Sequence, residues 1–232
     1  MDGWAELAAA LSAFLLSHVV PTRPAIKARL KSALGAAGFG VAYSLISVAL
    51  LGWIIVAAGR ASYLRLWDFE PWEMRVPNLL VPIACLAVAF GLAAPNPLSF
   101  GGWAVERFNP DRPGISGVSR HPLLLGLTLW AVGHLVPNGD VAHVVLFGAF
   151  ALFSIGGMVA LDVRLQRTMG RRTWDVLAAR TSLIPLAALL DGRWQPSIRR
   201  ASLTRLGIAV LVWATLLSMH SLVIGISPLP LP

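Results

Sequence analysis

Apolar segments long enough to cross a lipid bilayer occupy most of this sequence. A membrane-spanning helix needs about 20 mostly apolar residues, within a range of about 17 to 25. Loops that contain basic residues, glycine and proline separate the apolar segments, and the Pro-Asn-Gly-Asp turn predicts a tight hairpin between the fourth and fifth. We predict about six spans: Trp4–Val20, Ala36–Ala58, Val76–Ala94, Pro122–Val136, Val141–Leu161 and Leu203–Ile226.

The composition agrees with a membrane location. Hydrophobic residues make up 56% of the chain and charged residues only 13%, whereas soluble domains carry about 25% charged residues. A water-soluble protein could not cover its surface with so few charges. We therefore predict an all-α, polytopic integral membrane protein that forms a single transmembrane domain over residues 1–232.

The basic residues are distributed unevenly over the predicted loops. If both chain ends lie outside, 16 of the 19 lysines and arginines fall in cytoplasmic loops, as the positive-inside rule requires. The sequence thus predicts a multi-pass protein of the bacterial inner membrane with periplasmic N- and C-termini. The net charge of +8 is explained by this topology and by contact with anionic membrane lipid, so no nucleic acid partner is predicted.

A half-apolar segment, Trp174–Leu190, does not fit a seventh span. Arg180 and Pro185 interrupt it, and it lies within the most basic part of the chain. These features are typical of a helix that lies in the membrane interface. We predict an interfacial helix on the cytoplasmic side.

Histidines are the side chains in the predicted spans that are best suited to carry chemistry. Aspartate, glutamate, lysine and arginine are almost absent from these segments, because a charge in the bilayer is costly. A neutral imidazole can bind a metal or a haem iron in apolar surroundings. Among the histidines, His143 and His220 are interpreted as structural. The single cysteine, Cys85, excludes paired-cysteine zinc sites and covalent c-type haem.

The tripeptide Arg120-His121-Pro122 indicates a different kind of site. Proline is favoured in the first turn of a helix, where its missing N–H is not needed. Arg120 and His121 are then held at a helix N-terminus, which favours a phosphate, a propionate or a carboxylate. We predict these two residues as cofactor-binding. His134 follows His121 by about 20 Å along the helix, so the two histidines are expected to have different roles.

Four blocks of the sequence, in the same order along the chain, resemble the NnrU family of bacterial membrane proteins. The first is "SHVVPTRP", the second runs from "FNPDRPG" through "SRHPLLLG" to "HLVPNGD", the third is "ALD", and the last is "WDVLAARTSLIPLAALLDGR". They correspond to Ser17–Pro24, Phe108–Asp140, Ala160–Asp162 and Trp174–Arg193.

The resemblance implies a non-covalently bound haem b. His18 and His134 match the histidines implicated in haem binding by the family's plant members, and Arg120 would pair with a haem propionate. His121 is the geometric competitor of His134, because His18 and His121 are both predicted near the cytoplasmic side. The family implies either redox-dependent cis–trans isomerisation of an apolar polyene such as ζ-carotene, or support of nitrite and nitric oxide reduction beside a respiratory or denitrification membrane complex. It leaves open whether the chain is an enzyme.

A more distant resemblance implies an alternative function. "SRHPLLLG" and the segment from "LQRTMGRR" to "TSLIP" are similar to the isoprenylcysteine carboxyl methyltransferase enzymes, which use S-adenosylmethionine. This sequence has Leu124 where those enzymes have a tyrosine, and Leu161 and Asp162 near the position of their paired glutamates. Both departures weaken the likeness in the cofactor site. The alternative is a membrane methyltransferase that acts on a thiol or carboxyl group.

Overall fold

The computed structural model describes residues 3–197 and 200–229, and within these residues the chain is α-helical without a β-strand. The all-α fold is therefore confirmed. The chain ends, which were predicted to be periplasmic, lie outside the described residues. The α-helices are α1 (Gly3–Val19), α2 (Pro24–Arg60), α3 (Arg75–Gly91), α4 (Pro122–Leu135), α5 (Val141–Met169), α6 (Arg171–Ala178), α7 (Ala187–Leu190) and α8 (Arg200–Ile224).

Each predicted span forms a helix, but the helices differ in length. Among the described residues, four are long and apolar enough to cross a membrane: Pro24–Arg60, Pro71–Gly91, Val141–Met169 and Ser202–Ile224. The first and fourth predicted spans form the shorter apolar helices α1 and α4, of 17 and 14 residues. The protein is thus a multi-pass membrane protein.

The helices form two compact units. Within the described residues, the first unit extends to Asp68 and also contains Gly139–Leu146, while the second comprises Phe69–Asn138 and continues from Phe147. Helix α5 begins in the first unit and continues in the second. The two units are described separately below.

In the first unit, α1 and α2 pack closely and α2 bends. Gly3 lies against the backbone of Arg60, where an added Cβ would be 2.2 Å from the carbonyl oxygen. Helix α2 contains 37 residues, or about 55 Å at about 1.5 Å per residue, which exceeds the hydrocarbon thickness of about 30 Å. Gly35 has φ 72° and ψ 167°, so the helix breaks one residue before the predicted start of the span at Ala36.

In the second unit, α3, α4 and α5 share an apolar core. Leu124 and Leu125 of α4 contact Ala87 and Met158. A hydrogen bond of 2.8 Å joins the hydroxyls of Thr128 and Ser154. These contacts place α4 against α5, in agreement with the predicted hairpin.

The segment predicted as an interfacial helix is divided in two. Helix α6 buries Trp174 and Ala178 on one face, and the short α7 follows after a turn that contains Arg180 and Pro185. Thr181 and Ser182 within this turn are buried. The turn therefore brings polar side chains into the second unit.

Candidate functional site

A buried polar cluster surrounds the beginning of α4. His121 is completely buried, and its Nε2 lies 2.8 Å from Oδ1 of Asp162. Its Nδ1 lies 3.1 Å from the hydroxyl of Ser99. Nη1 of Arg120 donates to the other carboxylate oxygen of Asp162. One carboxylate on α5 thus binds both residues of the predicted cofactor site.

Arg120 also contacts the segment between α6 and α7. Its Nε donates to the hydroxyl of Thr181 at 2.9 Å, and its backbone N–H donates to the carbonyl of Ser182 at 2.7 Å. The guanidinium carbon lies 4.9 Å from the centre of the Trp174 ring, within the range of a cation–π contact. Burial lowers the pKa of Arg120 and Asp162 opposes this shift, while the nearby positive charge of Arg193 adds to the lowering.

Local sequence explains how Arg120 and His121 are positioned. Pro122 occupies the first turn of α4, and His121 precedes it with φ −119° and ψ 67°. The carbonyl of Arg120 accepts a 2.9 Å hydrogen bond from the side-chain amide of Asn96, whose oxygen accepts one from the backbone N–H of Leu98. These two hydrogen bonds of Asn96 hold the chain before α4 in place next to the cluster.

An open pocket of about 450 Å³ lies beside the cluster. Its lining includes Arg120, Thr181, Ser182, Leu183, Ile184 and Arg193. Pockets of about 300 to 1,000 Å³ are typical of small-molecule sites. Arg120 lines this pocket, and its guanidinium also binds the carboxylate of Asp162.

His18, in the first unit, is held in one orientation. Its Nδ1 lies 2.8 Å from the carbonyl oxygen of Phe14, one turn earlier in α1, and therefore donates its proton there. Its Nε2 lies 3.4 Å from the hydroxyl of Ser47. The ring of Tyr43 contacts the imidazole edge at 5.3 Å between ring centres.

His134, in the second unit, repeats the same backbone contact in more apolar surroundings. Its Nδ1 donates to the carbonyl of Trp130 at 2.8 Å. The rings of Trp130 and Phe147 lie 5.4 and 5.3 Å from it, centre to centre. His220 lies at 6.4 Å, with its ring plane inclined by 22°.

The structure brings Arg120 and His121 together but places His134 at the other end of α4, and His18 belongs to the other unit. The described residues contain no group of three or more His, Cys, Asp or Glu that could hold a metal ion. The assignments of Arg120 and His121 to a cofactor, and of His18 and His134 to a metal, stay predictions.

Sequence reasoning did not identify the residues that complete the cluster. Asp162 was noted within the third NnrU-like block and near the expected position of methyltransferase glutamates, and Trp174 and Thr181 within the fourth block, but no role in a site was assigned to them. Ser99 was not singled out. One local signal was available for Asp162, which is the first charged residue after Val141 in an apolar helix. A charge at such a position often has a nearby partner.

These observations define a polytopic α-helical membrane protein with a buried arginine–histidine–aspartate cluster. The sequence model described as "NnrU protein" matches residues 6–228, so the chain belongs to the NnrU family, as the resemblance indicated. It is also 32% identical over 80 residues to "15-cis-zeta-carotene isomerase, chloroplastic" of Zea mays. That alignment covers 34% of this chain and 22% of the maize protein. No solved structure matches the chain.

Proposed function

We propose that this chain is a haem b-binding membrane protein in which imidazoles supply the iron ligands. The observation that carries the proposal is the orientation of His18 and His134. Each Nδ1 donates to the carbonyl four residues earlier, so the lone pair is on Nε2, which in His18 also lies 3.4 Å from the hydroxyl of Ser47. A hydrogen bond from the second ring nitrogen is the usual way in which proteins orient a metal-binding histidine.

His121 is less suited than His134 to bind the iron. Both of its nitrogens are hydrogen-bonded, one to Asp162 and one to Ser99. A metal at either nitrogen would displace a partner and leave it buried, which costs about 1 to 3 kcal/mol. The local geometry therefore favours His134 over His121 as an iron ligand.

The activity that we propose is redox-dependent cis–trans isomerisation of an apolar polyene. Similarity to the maize carotene isomerase over 80 residues supports this choice. When bound, haem would supply a redox-active iron. His134 would hold the iron, and the rings of Trp130 and Phe147 beside it would exclude water from the apolar substrate.

A visible spectrum of the detergent-purified protein, expressed with supplementary haem, tests this proposal. We expect a Soret band that is lost or shifted in His134→Ala and retained in His143→Ala, because His143 is instead bonded to Asp140. The same measurement on His18→Ala tests the second implied ligand. A wild-type protein without Soret absorbance would refute haem binding.

The isomerase activity requires a separate assay. Haem-loaded protein in liposomes that contain 15-cis-ζ-carotene should convert it to the 15-trans isomer when the iron is reduced. Oxidised protein and His134→Ala should leave the cis isomer unchanged. Equal conversion by reduced wild-type and His134→Ala protein would exclude a role for this ligand.

The pocket beside Arg120 favours a second candidate, an S-adenosylmethionine-dependent methyltransferase. Its volume of about 450 Å³ suits a small molecule, and the guanidinium groups of Arg120 and Arg193 in its lining could bind a carboxylate. Against this, Leu124 lies in the apolar core with Leu125 and Met158. Colourless protein that binds S-adenosylmethionine in calorimetry would favour the methyltransferase over the haem protein.

We further propose a bacterial inner-membrane location with the basic loops in the cytoplasm. The distribution of lysine and arginine over the loops supports this orientation. A reporter fused after residue 31 should be cytoplasmic, and one inserted after Asp68 should be periplasmic. The opposite result would invert the topology.

A further inference from the structure

We propose that Ser99, His121 and Asp162 form a nucleophile–base–carboxylate triad that hydrolyses esters with an apolar acyl chain at the membrane surface. This activity is separate from the proposed function and does not depend on haem. Catalysis by a serine nucleophile requires a base within hydrogen-bond distance of the hydroxyl and a third group that orients the base. The second unit contains all three groups.

One imidazole connects the serine hydroxyl to the carboxylate. The hydroxyl of Ser99 lies 3.1 Å from Nδ1 of His121, and Nε2 of the same ring lies 2.8 Å from Oδ1 of Asp162. Both distances fall within about 2.6 to 3.2 Å, the range expected between a nucleophile, its base and the group that orients the base. The three residues come from the loop after α3, the position before α4 and helix α5. The fold therefore assembles the triad from distant parts of the chain.

The hydrogen bonds assign the proton positions. A carboxylate only accepts hydrogen bonds, and that of Asp162 also pairs with Arg120 through its other oxygen. Nε2 of His121 therefore donates its proton to Asp162. A neutral imidazole then has its lone pair on Nδ1, so the hydroxyl of Ser99 donates to Nδ1. This is the direction in which a nucleophilic serine gives its proton to a general base.

The two ring nitrogens of His121 exchange roles relative to the serine proteases. In those enzymes the carboxylate binds Nδ1 and the serine binds Nε2. Protonation of either nitrogen gives the same imidazolium, which has one N–H group on each side of the ring. The carboxylate of Asp162 can thus stabilise the cation from the Nε2 side. His121 retains the ability to take a proton from Ser99 and to return it.

The loop that carries Ser99 is closed by two backbone hydrogen bonds. The N–H of Ala93 donates to the carbonyl of Gly101 at 2.9 Å, and the N–H of Trp103 donates to that of Ala94 at 3.0 Å. A loop that is fixed in this way holds the hydroxyl at a constant distance from its base. Such positioning is a large part of the catalytic effect of a preformed site.

Backbone donors follow the nucleophile directly. Within the part of the chain that the structure describes, the N–H groups of Phe100, Gly101 and Gly102 form no hydrogen bond. In α/β-hydrolases the N–H of the residue after the nucleophile stabilises the negative oxygen of the transition state. Phe100 would supply this donor here.

The surroundings of Ser99 indicate the class of substrate. Ser99 is partly exposed, and it lies eight residues beyond Gly91, where the membrane-spanning helix α3 ends. Phe100 and Trp103 follow it and are 51% and 76% exposed. Tryptophan is favoured at the boundary between membrane and water, and exposed apolar side chains bind apolar ligands. An ester with a long acyl chain suits this position.

The reaction balances with water as the second substrate. Oγ of Ser99 attacks the carbonyl carbon of the ester while Nδ1 of His121 takes the hydroxyl proton. The bond from that carbon to the alcohol oxygen breaks, and the alcohol leaves with the proton from His121. Water then attacks the acylated serine with His121 again as the base. The carboxylic acid is released, and the proton returns to Ser99.

A fluorophosphonate probe with a decyl chain tests for the activated serine in full-length, detergent-purified protein. We expect covalent labelling that mass spectrometry assigns to Ser99, that is lost in Ser99→Ala and that is unchanged in Ser32→Ala. Ser32 is a matched control because it is exposed and its hydroxyl donates only to the carbonyl of Arg29. A wild-type protein that is not labelled, or is labelled equally in Ser99→Ala, would overturn the proposal.

Hydrolysis of p-nitrophenyl decanoate by protein in lipid nanodiscs measures the activity. Ser99→Ala should lower kcat by about 10⁴-fold or more, and Ser32→Ala should match the wild type. Asp162→Asn, assayed below its unfolding midpoint, should lower kcat per folded molecule by about 10⁴-fold with little change in KM, because the imidazole loses its orientation. A merely structural role of Asp162 would leave kcat per folded molecule unchanged.

The acyl chain of the substrate is tested with p-nitrophenyl acetate. We expect a much higher kcat/KM for the decanoate than for the acetate, because only the longer chain contacts the apolar side chains beside Ser99. Equal values for the two esters would overturn the assigned substrate class. Hydrolysis of both esters that is unaffected by Ser99→Ala would overturn the triad itself.

Discussion

Replacement of Asp162 by asparagine should destabilise the second unit strongly. The carboxylate accepts hydrogen bonds from Arg120 and His121, and the exposed fractions of these three side chains are 15%, 12% and 0%. Asparagine has nearly the same shape but no charge. Its side-chain NH2 group would face the N–H group of either Arg120 or His121, so that two donors would meet without an acceptor. The guanidinium would then be buried without a counter-charge.

The magnitude follows from this loss of a buried partner. Removing one member of a buried ion pair costs about 3 to 5 kcal/mol, because the remaining charge is uncompensated. In a chain of this length each kcal/mol shifts the midpoint of thermal unfolding by about 2 to 4 °C, so we expect a decrease of about 6 to 20 °C. The double variant Arg120→Gln/Asp162→Asn should lose less stability than the sum of the losses in the two single variants, since neither charge is then left without its partner.

Thermal unfolding in detergent, followed by circular dichroism, measures this effect. The matched control is Asp175→Asn on α6, whose side chain is 62% exposed and lies 3.9 Å from Arg171. An exposed pair contributes about 0 to 1 kcal/mol, so the control should unfold close to the wild type. Equal unfolding midpoints for Asp162→Asn and Asp175→Asn would refute the argument that the buried cluster stabilises this unit.

Three further substitutions test other close contacts. Gly117→Ala should cost about 1 to 3 kcal/mol through overpacking, because a Cβ would lie 2.3 Å from the Trp194 ring. The control is Gly148→Ala, where an added Cβ would have no atom within 4 Å. Equal thermal stability of the two variants would contradict the close contact between Gly117 and Trp194. Arg205→Gln should lower the unfolding midpoint, because Nη1 of Arg205 donates to three carbonyls at the end of α3. The expected loss of stability is about 0.3 to 2 kcal/mol. An unfolding midpoint equal to that of the wild type would contradict the capping role of Arg205. Gly35→Ala should cost about 1 to 3 kcal/mol in a thermal melt, because φ 72° with ψ 167° is accessible mainly to glycine; an unchanged melt would mean that the bend is not required.

The helices could be predicted from the sequence because hydropathy and helix-start signals are local. The beginning of α4 at Pro122 follows from residues close to that position, whereas α2 begins at Pro24, twelve residues before the predicted start of the second span at Ala36. The fifth predicted span ends at Leu161, where hydropathy falls, but helix α5 itself does not end there. Backbone hydrogen bonding continues through the polar residues to Met169, since a helix can extend from the bilayer into water without a break.

The polar cluster could not be predicted because its contacts join distant parts of the chain. The sequence indicated that Arg120 favours an anion but not that the protein supplies it from Asp162, 42 residues later. Thr181 is 61 residues from Arg120, and its hydroxyl gives no local signal.

Arg120 and His134 lie at opposite ends of α4, and this separation yields a final prediction. Arg120 precedes His134 by 14 residues, or about 20 Å along the helix, so we expect that the haem proposed at His134 does not contact Arg120. Arg120 is also already paired with Asp162. Arg120→Gln should therefore lower the thermal unfolding midpoint while leaving the Soret maximum and the spin state of bound haem unchanged. His134→Ala provides the opposite control, with an altered spectrum. If Arg120→Gln shifts the Soret band as much as His134→Ala does, the cluster contacts the haem and the separation of roles along α4 is wrong.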